Sequence, residues 1–516
     1  MPNTAQPTWD HAADHPDRIA LRGRGEPWTY GRLREHSARY AGALRASGVA
    51  PGDRVLLIAP SVPEFAVAYY GVLAAGAIAV TANTMSTRPE LEYCGGDAGV
   101  SLVIGWHEVA GAPADAAQAL GVPYWTLGPD AAAGGPGEPL AAPHQTGAGD
   151  TAVILYTSGT TGRPKGAQLT HGNLMASASS FREVMRVTAE DRFGTALPLF
   201  HVFGQAVVMG STLLAGGSLS LLSPFDPGAM LDLLRRDRLT AIAGVPTMWN
   251  ALLHTPAGEN DAADFASLRL ALTGGAAMPA EVMRALEQRF GCVIIEGYGL
   301  TETTGAATSN RLDRVRKPSC VGIAAPGCEV AVRDDSGRVV PVGEVGEISI
   351  KGPVVMSGYW NRPEATADVL QDGWLQTGDL GTMDEDGDIR IVDRKKDLII
   401  RGGYNVYARE VEEVLYEHPD VVEVAVLGLP DPHFGEEVAA VMSLRPGATL
   451  DAPAFRAWAK ERLSAYKVPR LYQVVDALPK GPTGKILKRA IDAEAVRAGS
   501  EATAAAADAA DAADAG

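Results

Sequence analysis

Tyr156-Thr-Ser-Gly-Thr-Thr-Gly-Arg-Pro-Lys-Gly166 follows the apolar run Ala152–Tyr156, which predicts a strand feeding directly into a loop. Gly159, Gly162 and Gly166 permit tight backbone turns, so successive N–H groups can converge on phosphate oxygens. Thr157, Ser158, Thr160 and Thr161 add hydroxyl donors, and Lys165 adds a positive charge. A P-loop counted from Gly159 requires Gly at position 164 and Ser or Thr at 166, whereas the chain has Pro164 and Gly166. A flexible polar loop also collects Gly, Ser and Thr, but no turn type requires so dense an array of donors. The stretch reads as a phosphate-binding loop of another kind.

On the N-terminal side, helical and strand patterns alternate. Gly31–Ser47, Val62–Ala75 and Thr87–Gly95 read as helices, and Arg54–Ala59, Ala77–Thr81 and Val100–Ile104 as short apolar strands. Such alternation indicates a mostly parallel sheet covered on both faces. Residues 110–148, rich in Ala, Gly and Pro, read as a surface excursion. Alternation resumes at Ala152 and runs to about residue 310, and Val321–Ile391 changes to short β segments separated by Gly, Pro and Asp turns. After Asp393 an α+β unit follows, with helices at Ala408–Glu417 and Pro453–Leu463 and strands at Val421–Leu427 and Val438–Leu444. The expected class is α/β: a large N-terminal domain of doubly wound α/β subdomains plus a β-rich subdomain, then a small α+β domain.

The 516 residues exceed what one core normally serves. A formal net charge of −17 argues against a nucleic-acid-binding surface, though not against a local anion site. Cys94, Cys292, Cys320 and Cys328 show no metal or disulfide spacing and read as reduced thiols in a cytoplasmic protein. No apolar run is long enough to span a bilayer, and the polar start, broken by Pro2, Pro7 and Asp10, is no signal peptide. The Ala/Asp tail beyond about residue 497 has no large apolar side chain to dock it and is expected to fray.

Further motifs recur at the ends of predicted elements. Tyr298-Gly-Leu-Thr-Glu-Thr303 follows the apolar strand Cys292–Ile295, at a strand's carboxyl end where ligands bind in open α/β sheets. Upstream lies Leu272-Thr-Gly-Gly-Ala-Ala-Met-Pro279, and downstream Trp374-Leu-Gln-Thr-Gly-Asp-Leu380 and Asp393-Arg-Lys-Lys-Asp397. Arg401-Gly-Gly-Tyr-Asn-Val-Tyr407 and Pro479-Lys-Gly-Pro-Thr-Gly-Lys-Ile-Leu-Lys-Arg489 complete the series. Taken singly, Thr-Glu-Thr, Gly-Asp and Gly-Gly are also ordinary turns, and the lysines of 393–397 an ordinary solvated charge run, a reading kept for Lys395.

In this order the motifs resemble those of the adenylate-forming superfamily: acyl-CoA synthetases, adenylation domains of peptide synthetases and firefly luciferase. The resemblance runs from about residue 10 to 495 and is nearest to fatty-acid-type acyl-CoA ligases. It implies an ATP site made by Thr157, Ser158, Gly159, Thr160, Thr161, Lys165, Gly275, Ala276, Ala277, Tyr298, Gly299, Asp379 and Arg394. Tyr298 would stack on adenine, Asp379 would accept the ribose hydroxyls, and Thr301 would contact the α-phosphate. Glu302 and Thr157 would hold Mg²⁺. Lys485 would be the catalytic lysine, since joining two anions and expelling pyrophosphate requires mobile positive charge. The loop departs from the commonest form in having Pro-Thr-Gly where many members carry Ser or Ala in the middle position. Gly402 and Gly403 would leave room for the thiol's pantetheine arm. Lys396 would be the hinge, in an extended connector before the strand Leu398–Arg401.

For the acid, Leu197-Pro-Leu-Phe-His-Val-Phe-Gly204 resembles the family segment in which a histidine or aromatic gates the pocket, here His201. Phe203, Gly204, Thr247 and Gly274 complete the candidate set. No lysine or arginine occurs from Phe193 to Leu234, so a pocket built there would be apolar and would favour a hydrophobic monocarboxylic acid over a dicarboxylate such as malonate. The domains expected are 1–393 for ATP and acid binding, 394–396 as hinge, 397–496 as a mobile C-terminal domain and 497–516 as tail. The expected activity is ATP-dependent acyl-CoA ligation through an acyl-adenylate, with ATP, Mg²⁺ and coenzyme A as cofactors. The partners expected are a small carboxylic acid and CoA, with an acyl carrier protein as the alternative thiol donor. A luciferase-like oxidase and an inactive nucleotide-binding scaffold are the remaining rivals.

Overall fold

The computed structural model describes residues 3–109, 111–129, 131, 137–157, 163–256, 264–276, 278–481 and 486–500. The chain forms two compact units. The first takes Met1–Met278, Val282–Ala331 and Ser349–Thr377, and the second takes Pro279–Glu281, Val332–Ile348 and Gly378–Gly516.

Among the described residues, two sheets lie wholly within the first unit. One runs, in spatial order, Gly358–Tyr359, Lys165–Thr170, Thr151–Thr157, Ile78–Ala82, Arg54–Ile58, Leu102–Trp106 and Tyr124–Leu127. Its last five strands are parallel, and the strands entering and leaving the glycine-rich loop pair antiparallel, with Thr157 opposite Lys165. The other centres on five parallel neighbours: Val293–Tyr298, Leu270–Gly274, Ala241–Gly244, Arg192–Thr195 and Ser218–Leu221. The helix Pro63–Ala74 is buried on every side, so it reads as continuously apolar rather than periodic.

The segment 110–148 corrects the expectation of a surface excursion. Ala112–Leu120 is a helix closed by a left-handed Gly121, and Tyr124–Leu127 adds a parallel strand beside Leu102–Trp106. At nine residues the helix is shorter than the span over which a period can be read, and it sits in an Ala-, Gly- and Pro-rich stretch.

The start of the chain is pinned to this unit. Thr4 donates its backbone N–H to Nδ1 of buried His171 at 3.0 Å, and its hydroxyl lies 2.9 Å from the same nitrogen. Burial pushes the His171 pKa down to about 4, opposed weakly by Asp150. Between the unfolded value near 6.5 and that value the unfolded chain binds more protons, so stability present above pH 6.5 is lost as pH falls. Going from pH 7 to pH 5 is expected to cost about 2 kcal/mol at this site. Urea midpoints at the two pH values check this, and His171→Asn should flatten the slope.

In the second unit, Tyr404–Val406, Ile399–Arg401, Gly435–Leu444 and Val421–Asp431 form a sheet, with Leu471–Val474 beside Gly435–Leu444. Helices Ala408–Leu415 and Ala452–Lys460 pack on it through Val411, Leu415, Phe455 and Ala459. Arg401 and Glu437 form a buried bidentate pair in this sheet, at 2.5 and 2.9 Å. Residues 493–500 are helical, and the Ser500 hydroxyl accepts the Tyr472 N–H, so the docked end extends slightly past the point where fraying was expected.

Two expectations about the connector change. Lys396 lies in a turn, not an extended stretch: the Asp397 N–H donates to the Arg394 carbonyl at 2.9 Å, and the next strand is Ile399–Arg401. Lys395 is no free solvated charge, since its Nζ lies 2.7 Å from Asp335 Oδ1 and 3.3 Å from Glu347 Oε2.

Candidate active site

In the first unit the carboxyl ends of two neighbouring parallel strands bring together Gly274, Gly275, Ala276, Tyr298 and Gly299 from the expected set. Leu270–Gly274 and Val293–Tyr298 run side by side with Gly274 opposite Gly297, so Gly274 and Tyr298 end adjacent strands. A side chain at Gly274 would crowd the Gly297 carbonyl at 3.1 Å and the Phe203 ring at 3.5 Å, which ties two acid-site candidates together. Gly275 has φ 84°, a left-handed turn that exposes it and Ala276. Tyr298 is buried, and Gly299 leads into the short 3₁₀ turn Thr301–Thr303.

Glu302 is where this turn meets the glycine-rich loop. Its Oε1 accepts the Tyr359 hydroxyl at 2.8 Å and, more loosely, the Thr157 hydroxyl at 3.4 Å. Lys165 Nζ stands 5.1 Å from the Tyr359 ring centroid, within cation–π range. Burial, and then the Glu302 charge, pushes the Tyr359 pKa up, so the phenol keeps its proton and donates. Tyr359 escaped sequence reading. It belongs to a two-residue strand paired with Lys165–Thr170 across a long sequence separation, and its only local mark is an aromatic pair after Gly358. A carboxylate and a hydroxyl side by side are hard oxygen donors that fit Mg²⁺.

His201 precedes a π-helical segment, Phe203–Gly210. Its Nδ1 accepts the Phe203 N–H at 3.3 Å, a partner sequence could not supply. Gly204 passes so close to Pro198 that a Cβ there would lie 2.5 Å from its carbonyl oxygen. The segment from Phe203 to Met209 is buried and carries no charge. Thr247 sits in the first turn of the helix Pro246–His254, which follows the strand Ala241–Gly244.

In the second unit Asp379 and Arg394 stand opposite each other on paired strands, with Nε 3.3 Å from Oδ1 and Asp379 almost wholly buried. Lys396 is exposed. Gly402 and Gly403 are the two-residue turn of the hairpin Ile399–Arg401/Tyr404–Val406, with φ 58° and 83°. The positive φ of the hairpin turn by itself favours glycine at both places. Ser158, Gly159, Thr160, Thr161, Ala277 and Lys485 lie outside the described residues.

The AMP-binding enzyme family matches residues 8–360, and the AMP-binding enzyme C-terminal domain matches 410–485. The chain belongs to the AMP-binding enzyme family. A feruloyl-CoA synthase from Amycolatopsis sp. is 42% identical, covering 92% of this AMP-binding enzyme and 95% of its own chain. A long-chain-fatty-acid–CoA ligase from Bacillus subtilis is 38% identical over 93% and 92% of the two chains. The crystal structure of ATP-bound MatB from Rhodopseudomonas palustris superposes with a TM-score of 0.88 at 37% identity, covering 94% of this chain and 98% of that one. The resemblance read from the motifs is borne out, as is the α/β class with a large N-terminal and a small C-terminal domain. Among the described residues no helix is long and apolar enough to cross a membrane.

Proposed function

We propose that this enzyme, an ATP-dependent acid–CoA ligase of the AMP-forming class, takes a hydrophobic monocarboxylic acid in the cytoplasm. A carboxylate oxygen attacks the α-phosphorus of ATP and pyrophosphate leaves. The CoA thiol then attacks the acyl carbon and AMP leaves. The glycine-rich loop with Thr157, Ser158, Gly159, Thr160, Thr161 and Lys165 binds phosphates, Thr301 the α-phosphate, and Glu302 with Thr157 holds Mg²⁺, which screens the phosphate charge. Tyr298, Gly299, Gly275, Ala276 and Ala277 enclose adenine, while Asp379 and Arg394 take the ribose. Lys485 supplies charge to the first step, and Gly402 and Gly403 line the thiol's path. Residues 1–393 act as the ATP- and acid-binding domain, 394–396 as hinge with Lys396 the pivot, 397–496 as mobile domain and 497–516 as tail.

The observation that carries the acid class is the buried, uncharged segment Phe203–Met209 behind His201, with Phe203 against Gly274. A second carboxylate placed there would meet no local cation. The named acids of the two curated relatives, feruloyl and long-chain fatty, are also hydrophobic. The test is pyrophosphate release across an acid panel, with and without CoA. Each buried CH₂ contributes about 0.8 kcal/mol, so aryl or medium- and long-chain acids should exceed acetate and malonate by about a hundredfold or more in kcat/KM. Malonate turning over as well as octanoate and cinnamate would overturn the assignment.

A further inference from the structure

The helix Arg88–Ala98 belongs to no motif, yet it reaches both ends of the glycine-rich loop. It is a rigid support, opened by a capping box between Thr87 and Glu90 and closed by a left-handed Gly99. Tyr93 and Asp97 stand one turn apart on one face. Where the chain leaves the loop, the Tyr93 hydroxyl donates to the Pro164 carbonyl at 2.8 Å. Where it enters, the Tyr156 hydroxyl donates to Asp97 Oδ2 at 2.8 Å. The two tyrosine rings meet edge-on at 6.2 Å.

Asp97 has a second partner. Its Oδ1 pairs with the Arg362 guanidinium, and the Asp97 side chain is only 11% exposed. Arg362 ends the segment 358–362, whose Trp360 N–H donates to the Gly166 carbonyl at 2.7 Å and whose Tyr359 donates to Glu302. One carboxylate therefore joins the strand entering the loop to the segment that orients Glu302. Apolar packing would cover these surfaces at lower desolvation cost, whereas directional polar contacts fix one geometry.

We propose that Tyr93, Asp97 and Arg362 are positioning residues that set the two ends of the glycine-rich loop, and through the segment 358–362 the Glu302 carboxylate, for the triphosphate of ATP. This rests on the assignment of that loop to ATP. None of the three touches the reacting atoms. Their removal weakens nucleotide binding and adenylation while leaving the acid site and the second half-reaction in place.

The test uses the full-length enzyme and four variants, Tyr93→Phe, Asp97→Ala, Arg362→Gln and Arg362→Lys. Steady-state KM for ATP and for the acid is measured by pyrophosphate release, thioester formation is measured from prepared acyl-AMP and CoA, and Tm is recorded. One lost hydrogen bond corresponds to about a fivefold rise in the KM for ATP for Tyr93→Phe, and the lost charged centre to about tenfold or more for Asp97→Ala. The KM for the acid and the transfer rate should stay within about twofold of wild type, and Arg362→Lys should recover most of what Arg362→Gln loses. Unchanged KM for ATP in Tyr93→Phe and Asp97→Ala overturns the proposal. So does a parallel rise in both KM values, or a loss of both half-reactions in step with Tm, which marks a purely structural role. Wild type releasing no pyrophosphate with any acid would instead sink the ATP assignment itself.

Discussion

Lys485→Ala is expected to lower adenylate formation by about a thousandfold or more while thioester formation from prepared acyl-AMP stays near wild type. The first step drives a carboxylate onto a triphosphate, so positive charge must follow the developing charge on the departing pyrophosphate. The second step attacks a carbonyl with AMP as leaving group and needs no such charge. The substitution should also spare the fold, because the stem of the lysine's loop is secured without it. Lys480 bridges Ile486, the Leu487 N–H donates to the Pro479 carbonyl at 2.8 Å, and Lys480 Nζ meets Glu423 Oε1 at 2.7 Å. On the far side Lys488 Nζ lies 2.8 Å from Oε1 of Glu412, whose carboxyl pKa is pushed up by burial. Rapid-quench assays of each half-reaction decide the matter. Equal loss in both, with unchanged circular dichroism, would remove the assigned role.

Lys396→Pro should separate the same two half-reactions by about a hundredfold. Two reactions sharing one nucleotide site need a large change in a few backbone dihedrals, and residues 394–396 are the short segment assigned to absorb it. The turn closed by the Asp397 N–H and the Arg394 carbonyl places Lys395 and Lys396 at its two central positions. Proline at the second of these drives Lys395 out of the right-handed helical region and opens the turn. The step that uses the turn is lost, and the step that uses another connector conformation is kept. Lys396→Gly, which restricts nothing, should retain both. If Lys396→Pro left both steps intact, or reduced both alike with the fold preserved, the hinge would lie elsewhere.

What could be read from sequence followed local pattern. The strand before the glycine-rich loop, the strand ending at Tyr298 and the helix Tyr30–Ala46 all carry periodicities that survive folding, and the observed spans differ by a residue or a few. The catalytic chemistry was legible because several short motifs sit at element ends, where backbone constraints restrict residue choice. What stayed hidden was nonlocal. Glu302 gives no hint of Tyr359, nor Lys395 of Asp335, because those partners are brought together by strand pairing rather than by spacing. The helix Ala112–Leu120 was hidden for a different reason, its nine residues being too few for a period to stand out within an Ala/Gly/Pro-rich stretch.

The π-helix Phe203–Gly210 has an evolutionary consequence. Each π turn holds more backbone than an α turn, so the segment can lose a residue and still close a helical turn. Losing a codon there would tighten the coil toward α geometry and swing Phe203 and its successors around the axis, while the flanking strands kept their register. Gene lineages could thus recut the wall assigned to the acid by changing length, without rewriting the sheets assigned to the nucleotide.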